Sequence, residues 1–126
     1  MIGYTCVGTK DLDKAVTFYS DLLGVLGARV FLKSDRGLGW GTAADKPMFS
    51  VMKPFDGETA SVGNGVMVAL AAANPQEVQA LHAKAVALGG ADEGAPGSRG
   101  SNFYGAYFRD LDGNKLAAFC MIQAAA

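Results

Sequence analysis

Apolar residues along this chain recur with two periods, and the switches between them mark out its elements. Ile2 to Thr9 reads as a strand. From Asp11, a helix N-cap, to Leu26, the residues Leu12, Val16, Tyr19, Leu22, Leu23 and Leu26 recur at helical spacing. Such a stripe needs a broad apolar partner, so it predicts a helix lying on a sheet and ended by Gly27. Three short strands are predicted next, Ala28 to Lys33, Gly37 to Thr42 and Pro47 to Lys53. Turn-rich Ser34-Asp35-Arg36 and Ala44-Asp45-Lys46 divide them.

Pro54 to Gly65, PFDGETASVGNG, is too polar and glycine-rich to form an element and reads as a connector. The pattern then restarts. Gly65 to Ala73 is a predicted strand, and Asn74-Pro75-Gln76-Glu77 supplies an N-cap, a first-turn proline and a capping-box glutamate. Val78, Leu81, Ala85 and Leu88 form the buried stripe of that helix, which Gly89-Gly90 stop. Ala91 to Asn102 reads as a glycine-dense loop, with Gly94 to Gly100 as a flexible lid or dimer contact. Tyr104 to Cys120, YGAYFRDLDGNKLAAFC, then forms a hairpin whose two-residue turn is Asp112-Gly113. Its last strand presents Ala117 and Phe119 to one face, and Ala118 and Cys120 to the other.

Asp11 and Asn74 stand 63 positions apart, and the same offset lays Leu22 on Ala85, Gly27 on Gly90 and Ala28 on Ala91. The two halves therefore read as copies of a strand-helix-strand-strand-strand unit. The expected fold is α+β, with two βαβββ modules forming a cup-shaped mixed sheet and the helices outside. It would be a single domain over 1–126, with module one at 1–54, a connector at 55–64 and module two at 65–123. Paired units of this kind enclose a pocket, since neither alone covers both faces of its sheet.

Half of the 126 residues are apolar, enough for a real core. The 11 Lys and Arg balance 12 Asp and Glu without long runs of either sign, so a nucleic-acid partner is not expected. No apolar run is long enough to cross a bilayer and no leader pattern opens the chain, which points to a cytoplasmic protein without a membrane partner. Cys6 and Cys120 lie in apolar strand-like segments and are expected to be free thiols.

The segments VGTKDLDKAVTFYSDLLG and YFRDLDGNKLAAFC resemble the two signature regions of the glyoxalase, bleomycin-resistance and extradiol-dioxygenase (vicinal oxygen chelate) superfamily. The resemblance implies a small-molecule site within a cupped sheet, commonly in a homodimer. It also implies, in metal-using members, a histidine in the first strand of each module and glutamates late in each. Those positions fall here on Tyr4 and Met67 for the histidines, and on Ala117 and, by the 63-residue offset, Pro54 for the glutamates. None suits a divalent metal, and one histidine, His82, cannot supply such a site alone. No metal and no other cofactor is expected.

Strand alternation places Tyr4, Cys6, Met67, Ala69, Ala117 and Phe119 on the pocket floor, with Trp40, Phe49, Tyr104 and Tyr107 as aromatic walls. Arg99 and Lys53 are cations that could meet an anionic ligand at the rim, and Arg109 is expected to brace the hairpin turn. The expected function is binding of a small apolar or aromatic molecule without a metal. The alternative is a lactoylglutathione lyase-related lyase or isomerase, with Tyr4 or Tyr104 as acid or base, or Cys6 as nucleophile.

Overall fold

The computed structural model describes residues 1–122; Gln123, the last expected residue of module two, lies outside the described residues. The chain divides into two compact units, Met1–Asn64 and the residues from Gly65 onward. The first contains β1 (Tyr4–Gly8), α1 (Leu12–Gly24), β2 (Arg29–Ser34), β3 (Gly37–Gly41) and β4 (Met48–Met52). The second contains β5 (Val68–Ala71), α2 (Pro75–Ala87), β6 (Ala91–Ser98), β7 (Phe103–Arg109) and β8 (Lys115–Met121).

Both sheets have the same topology, β1-β4-β3-β2 and β5-β8-β7-β6. The outer pairs β1–β4 and β5–β8 are parallel, and the other pairs are antiparallel. Each unit is thus a βαβββ module with a mixed four-stranded sheet, and the fold is α+β. No helix among the described residues is long and apolar enough to cross a membrane.

The helices start where their capping residues dictate. Asp11 accepts a hydrogen bond from the Lys14 N–H at 3.1 Å, and Asn74 accepts one from the Glu77 N–H at 2.9 Å. The Glu77 carboxylate reaches back to the Ala73 N–H at 3.0 Å, which completes a reciprocal cap one residue before the Asn74 N-cap. In α1 the buried stripe is Ala15, Phe18, Tyr19, Leu22 and Leu23. Leu12, Val16 and Leu26, expected in it, are half-exposed, because the helix turns its larger rings toward the sheet. Tyr19 meets the Trp40 and Phe49 rings at 6.0 and 4.7 Å, and α2 buries Val78, Leu81 and Ala85.

Three expectations need correction. Ala91 to Asn102 is not a loop, since Ala91–Ser98 forms β6 on β7, with register shifts around Gly94. Glycine and proline hide an edge strand, because an edge tolerates bulges and a missing donor that a central strand does not. The hairpin turn is also longer than Asp112-Gly113. Arg109 pairs with Lys115, leaving a five-residue loop in which Gly113 alone has positive φ, 93°. Asp110 organises that loop, its carboxylate accepting from the Asp112 and Asn114 N–H groups and the Asn114 side-chain amide, each at 2.9 Å.

The third correction concerns the offset between the modules. Cys6 pairs with Ser50 in the first sheet, and Ala69, which lies 63 positions after Cys6, pairs with Ala117 in the second. The register counterpart of Ala117 is therefore Ser50, four residues before Pro54. The slip arises because β6 and β7 are each two residues longer than β2 and β3.

Candidate functional site

Strand register sorts each sheet into a face covered by its helix and a helix-free face. In the first unit Tyr4, Cys6 and Gly8 pair with Met48, Ser50 and Met52, and these pair onward with β3, Ser50 with Gly39 and Met52 with Gly37. These residues share the helix-free face. Trp40 and Phe49, expected as pocket walls, point the other way into the α1 interface, where both are buried.

The β3 segment Gly-Leu-Gly-Trp-Gly presents only glycines to the helix-free face. A Cβ on Gly37 would collide with the Val51 carbonyl oxygen. One on Gly39 would stand 2.7 Å from the Ser50 Oγ, and one on Gly41 3.0 Å from the Met48 Cγ. The space above β3 is thus taken by Met48, Ser50 and Met52 of β4. Ser50 is 0% exposed, and its Oγ has no hydrogen-bond partner. Tyr4 is 60% exposed, and Cys6 is exposed with a free thiol, while free Cys120 is buried on the helix side.

In the second unit Ala69, Ala117 and Tyr107 lie side by side in register, with Phe119 opposite Gly105. Met67 precedes β5 and is 44% exposed. Phe119 stacks parallel on Phe103, with centroids 5.4 Å apart and planes 1° apart. Tyr107 carries two cations around its ring, the Arg99 guanidinium carbon at 5.5 Å and the Lys115 ammonium at 5.6 Å. Tyr104 belongs to the other face, where its hydroxyl accepts a hydrogen bond from the Gln79 side-chain amide of α2 at 2.9 Å.

Of the remaining charged candidates, Arg109 does brace the hairpin loop, donating to the Gly113 carbonyl at 2.9 Å, and it also pairs with Glu93. The Arg109 guanidinium holds the Glu93 carboxyl below its ordinary range. Asp92 is likewise lowered, first by the Gly94 N–H and then by His82, whose Nε2 lies 3.0 Å away. Lys53 lies in the first unit, in a cleft of about 570 Å³ with Lys10, Arg36 and Phe55.

The resemblance implies a divalent metal, so the donors at its positions decide whether one fits. Tyr4 offers a phenol, Met67 a thioether and Ala117 nothing, and Ser50, which register places opposite Pro54's expected role, offers one buried hydroxyl. Among the described residues no three His, Cys, Asp or Glu side chains converge. His82 packs against Phe108 on the helix side, 6.5 Å between centroids. This donor set does not fit a divalent cation, which takes several imidazole, thiolate or carboxylate ligands.

Ser50, Phe103 and Lys115 were not singled out by the sequence. Phe103 was recoverable, since continuing the hairpin by one residue brings it diagonal to Phe119. Ser50 was not, because the 63-residue offset points past it.

Residues 1–118 match the family model described as Glyoxalase/Bleomycin resistance protein/Dioxygenase superfamily. The chain is 36% identical to a glyoxalase/bleomycin resistance protein from Albidiferax ferrireducens, over 95% of this chain and 98% of that one, with a TM-score of 0.87. A glyoxalase/bleomycin resistance protein/dioxygenase family enzyme from Burkholderia phytofirmans shares the fold at 18% identity, covering 95% and 98%, with a TM-score of 0.74. So does a lactoylglutathione lyase from Agrobacterium tumefaciens at 22% identity, covering 95% and 92%, with a TM-score of 0.69. No curated protein matches the chain at a comparable level.

Proposed function

This chain belongs to the Glyoxalase/Bleomycin resistance protein/Dioxygenase superfamily, and from that premise we propose that it binds a small, partly aromatic molecule on helix-free sheet surface without a metal. The observation that carries this reading is the side-chain set at the superfamily's ligand positions. Of these, Tyr4 and Met67 are exposed and suited to contact rather than coordination, Ser50 and Ala117 are buried and bear no charged ligating group, and beside Ala117 the stacked Phe103 and Phe119 rings offer apolar surface. Binding is favoured over a metal-free lyase or isomerase because Tyr104, one of the two tyrosines able to serve as acid or base, has its hydroxyl engaged by Gln79 on the helix-covered face.

The protein works as a cytoplasmic homodimer in this reading. Ile2 in the first unit and Val66 in the second are exposed apolar side chains available to a second copy. Light scattering on the eluting protein checks the dimer, and a mass of one chain removes it.

Two measurements test the proposal together. Metal content after dialysis against nickel, zinc, cobalt and manganese is expected to stay far below one ion per chain. Saturation-transfer NMR with aromatic fragments is expected to show binding that Phe119→Ala weakens. Near-stoichiometric retained metal, or no fragment binding, overturns it.

A further inference from the structure

We infer that Arg99 and Lys115, gathered around Tyr107 on the helix-free face of the second unit, recognise an oxyanion, so that the ligand is an aromatic carboxylate or its like rather than a neutral ring. This rests on the binding reading above and adds the ligand's charge.

The glycine-dense stretch of β6 seats Arg99. Its guanidinium folds back along the strand and donates from Nη2 to the Ala95 carbonyl at 2.6 Å. It lies over two positions without side chains, since a Cβ on Gly97 would stand 3.1 Å from Nη1 and one on Gly94 3.4 Å from Nη2. The same Cβ on Gly94 would press the Tyr107 ring at 3.0 Å. These glycines therefore leave a berth between strand and ring that a planar guanidinium fills.

The root of the arginine is fixed as well. The Arg99 N–H donates to the Phe103 carbonyl at 2.8 Å, and the Phe103 N–H to the Gly100 carbonyl at 2.9 Å. Between them Gly100, Ser101 and Asn102 all hold positive φ, 82°, 50° and 63°. Two non-glycine residues in that region mark a turn that its surroundings determine closely.

Charge then selects the ligand. Arg109 is matched by Glu93, and His82 by Asp92. Glu93 is near enough to Lys115 for its charge to be felt, but its carboxylate is held by Arg109. Among the described residues neither Arg99 nor Lys115 is in an ion pair, although both stand over one tyrosine ring. Two cations without an ion-pair partner, each within 5.6 Å of one ring's centre, make the field there positive and so favour an anion, and the fork of a guanidinium suits a carboxylate or phosphonate. The Phe103–Phe119 stack on the same face supplies the platform for the ring that carries it.

The test titrates the full chain with 2-naphthoate and with 2-naphthamide, its neutral counterpart, following amide NMR shifts. Naphthoate is expected to bind about tenfold more tightly, with the difference shrinking as salt rises. Arg99→Gln should weaken naphthoate about tenfold and leave naphthamide within about twofold. Gly97→Ala, whose Cβ would stand 3.1 Å from Nη1 and shift the guanidinium without changing charge, should weaken naphthoate in the same direction but less than Arg99→Gln does. Equal binding of the two probes, insensitive to Arg99→Gln, overturns the anion site and leaves the binding reading standing. Binding of neither probe overturns both.

Discussion

Asp110 gives the sharpest energetic test of how the second unit is held together. Its buried carboxylate accepts at least three hydrogen bonds within the loop between β7 and β8, among them two from backbone N–H groups and one from the Asn114 side chain. Bonds to a charged acceptor contribute roughly 1.5–3 kcal/mol each, and removing the acceptor strands its donors. Asp112 and Asn114 are half-exposed, so water recovers part of that loss, and about 1 kcal/mol per bond is the fair figure. Asp110→Ala should then cost about 3 kcal/mol. With a urea slope of about 1.5 kcal/mol per molar for a chain of this size, the midpoint by far-UV circular dichroism should fall by about 2 M. Asp110→Asn keeps an acceptor for the backbone donors and should lose about 1 kcal/mol. A midpoint for Asp110→Ala within about 0.3 M of the parent, or an asparagine variant as damaged as the alanine one, would refute the account.

Two further outcomes follow from single side chains. A buried hydroxyl without a partner costs roughly 1–3 kcal/mol, so Ser50→Ala, which gives the first unit the residue its counterpart Ala117 already has, should raise stability by about 1 kcal/mol and the melting temperature by about 3–5 °C; a lower melting temperature counts against an unpartnered Ser50. Asp92 and Glu93 are held below their ordinary values of 3.8 and 4.5, so their contribution is fully present above those values and lost as pH falls below them. The doubly substituted Asp92→Asn, Glu93→Gln protein should therefore lose less stability on acidification than the parent in thermal melts, and parallel acid limbs would show that the pairs contribute nothing.

Much of the fold was legible because its signals are local. The Asn74-Pro75-Gln76-Glu77 run specifies a helix start through bonds that span only four residues, and the structure makes each of them. Helix spacing made the duplication visible, since α1 and α2 are equally long. What failed depends on partners remote in sequence. Alternation says that Trp40 and Gly39 face opposite ways but not which side α1 covers, so an exposed wall and a core ring look alike. Tyr104 and Tyr107 are three apart and must diverge on any strand, yet which of them meets Gln79 is a matter of packing. β6 was missed because Gly94, Pro96 and Gly97 have little strand propensity of their own, and only pairing with β7 makes the segment a strand.

The row of bare positions on β3 has a consequence for how this protein can change over generations. A side chain arising at Gly37 strikes backbone, and one at Gly39 or Gly41 requires Ser50, Leu32 or Met48 to move, so substitution there disturbs packing before it can offer recognition. The matching face of β7, in the other copy, carries Phe103, Tyr107 and Arg109 and has one glycine, Gly105, where a Cβ would meet the Phe103 ring at 2.6 Å. One half of the duplication thus gives its central strand over to close packing, while the other keeps side chains on the matching face.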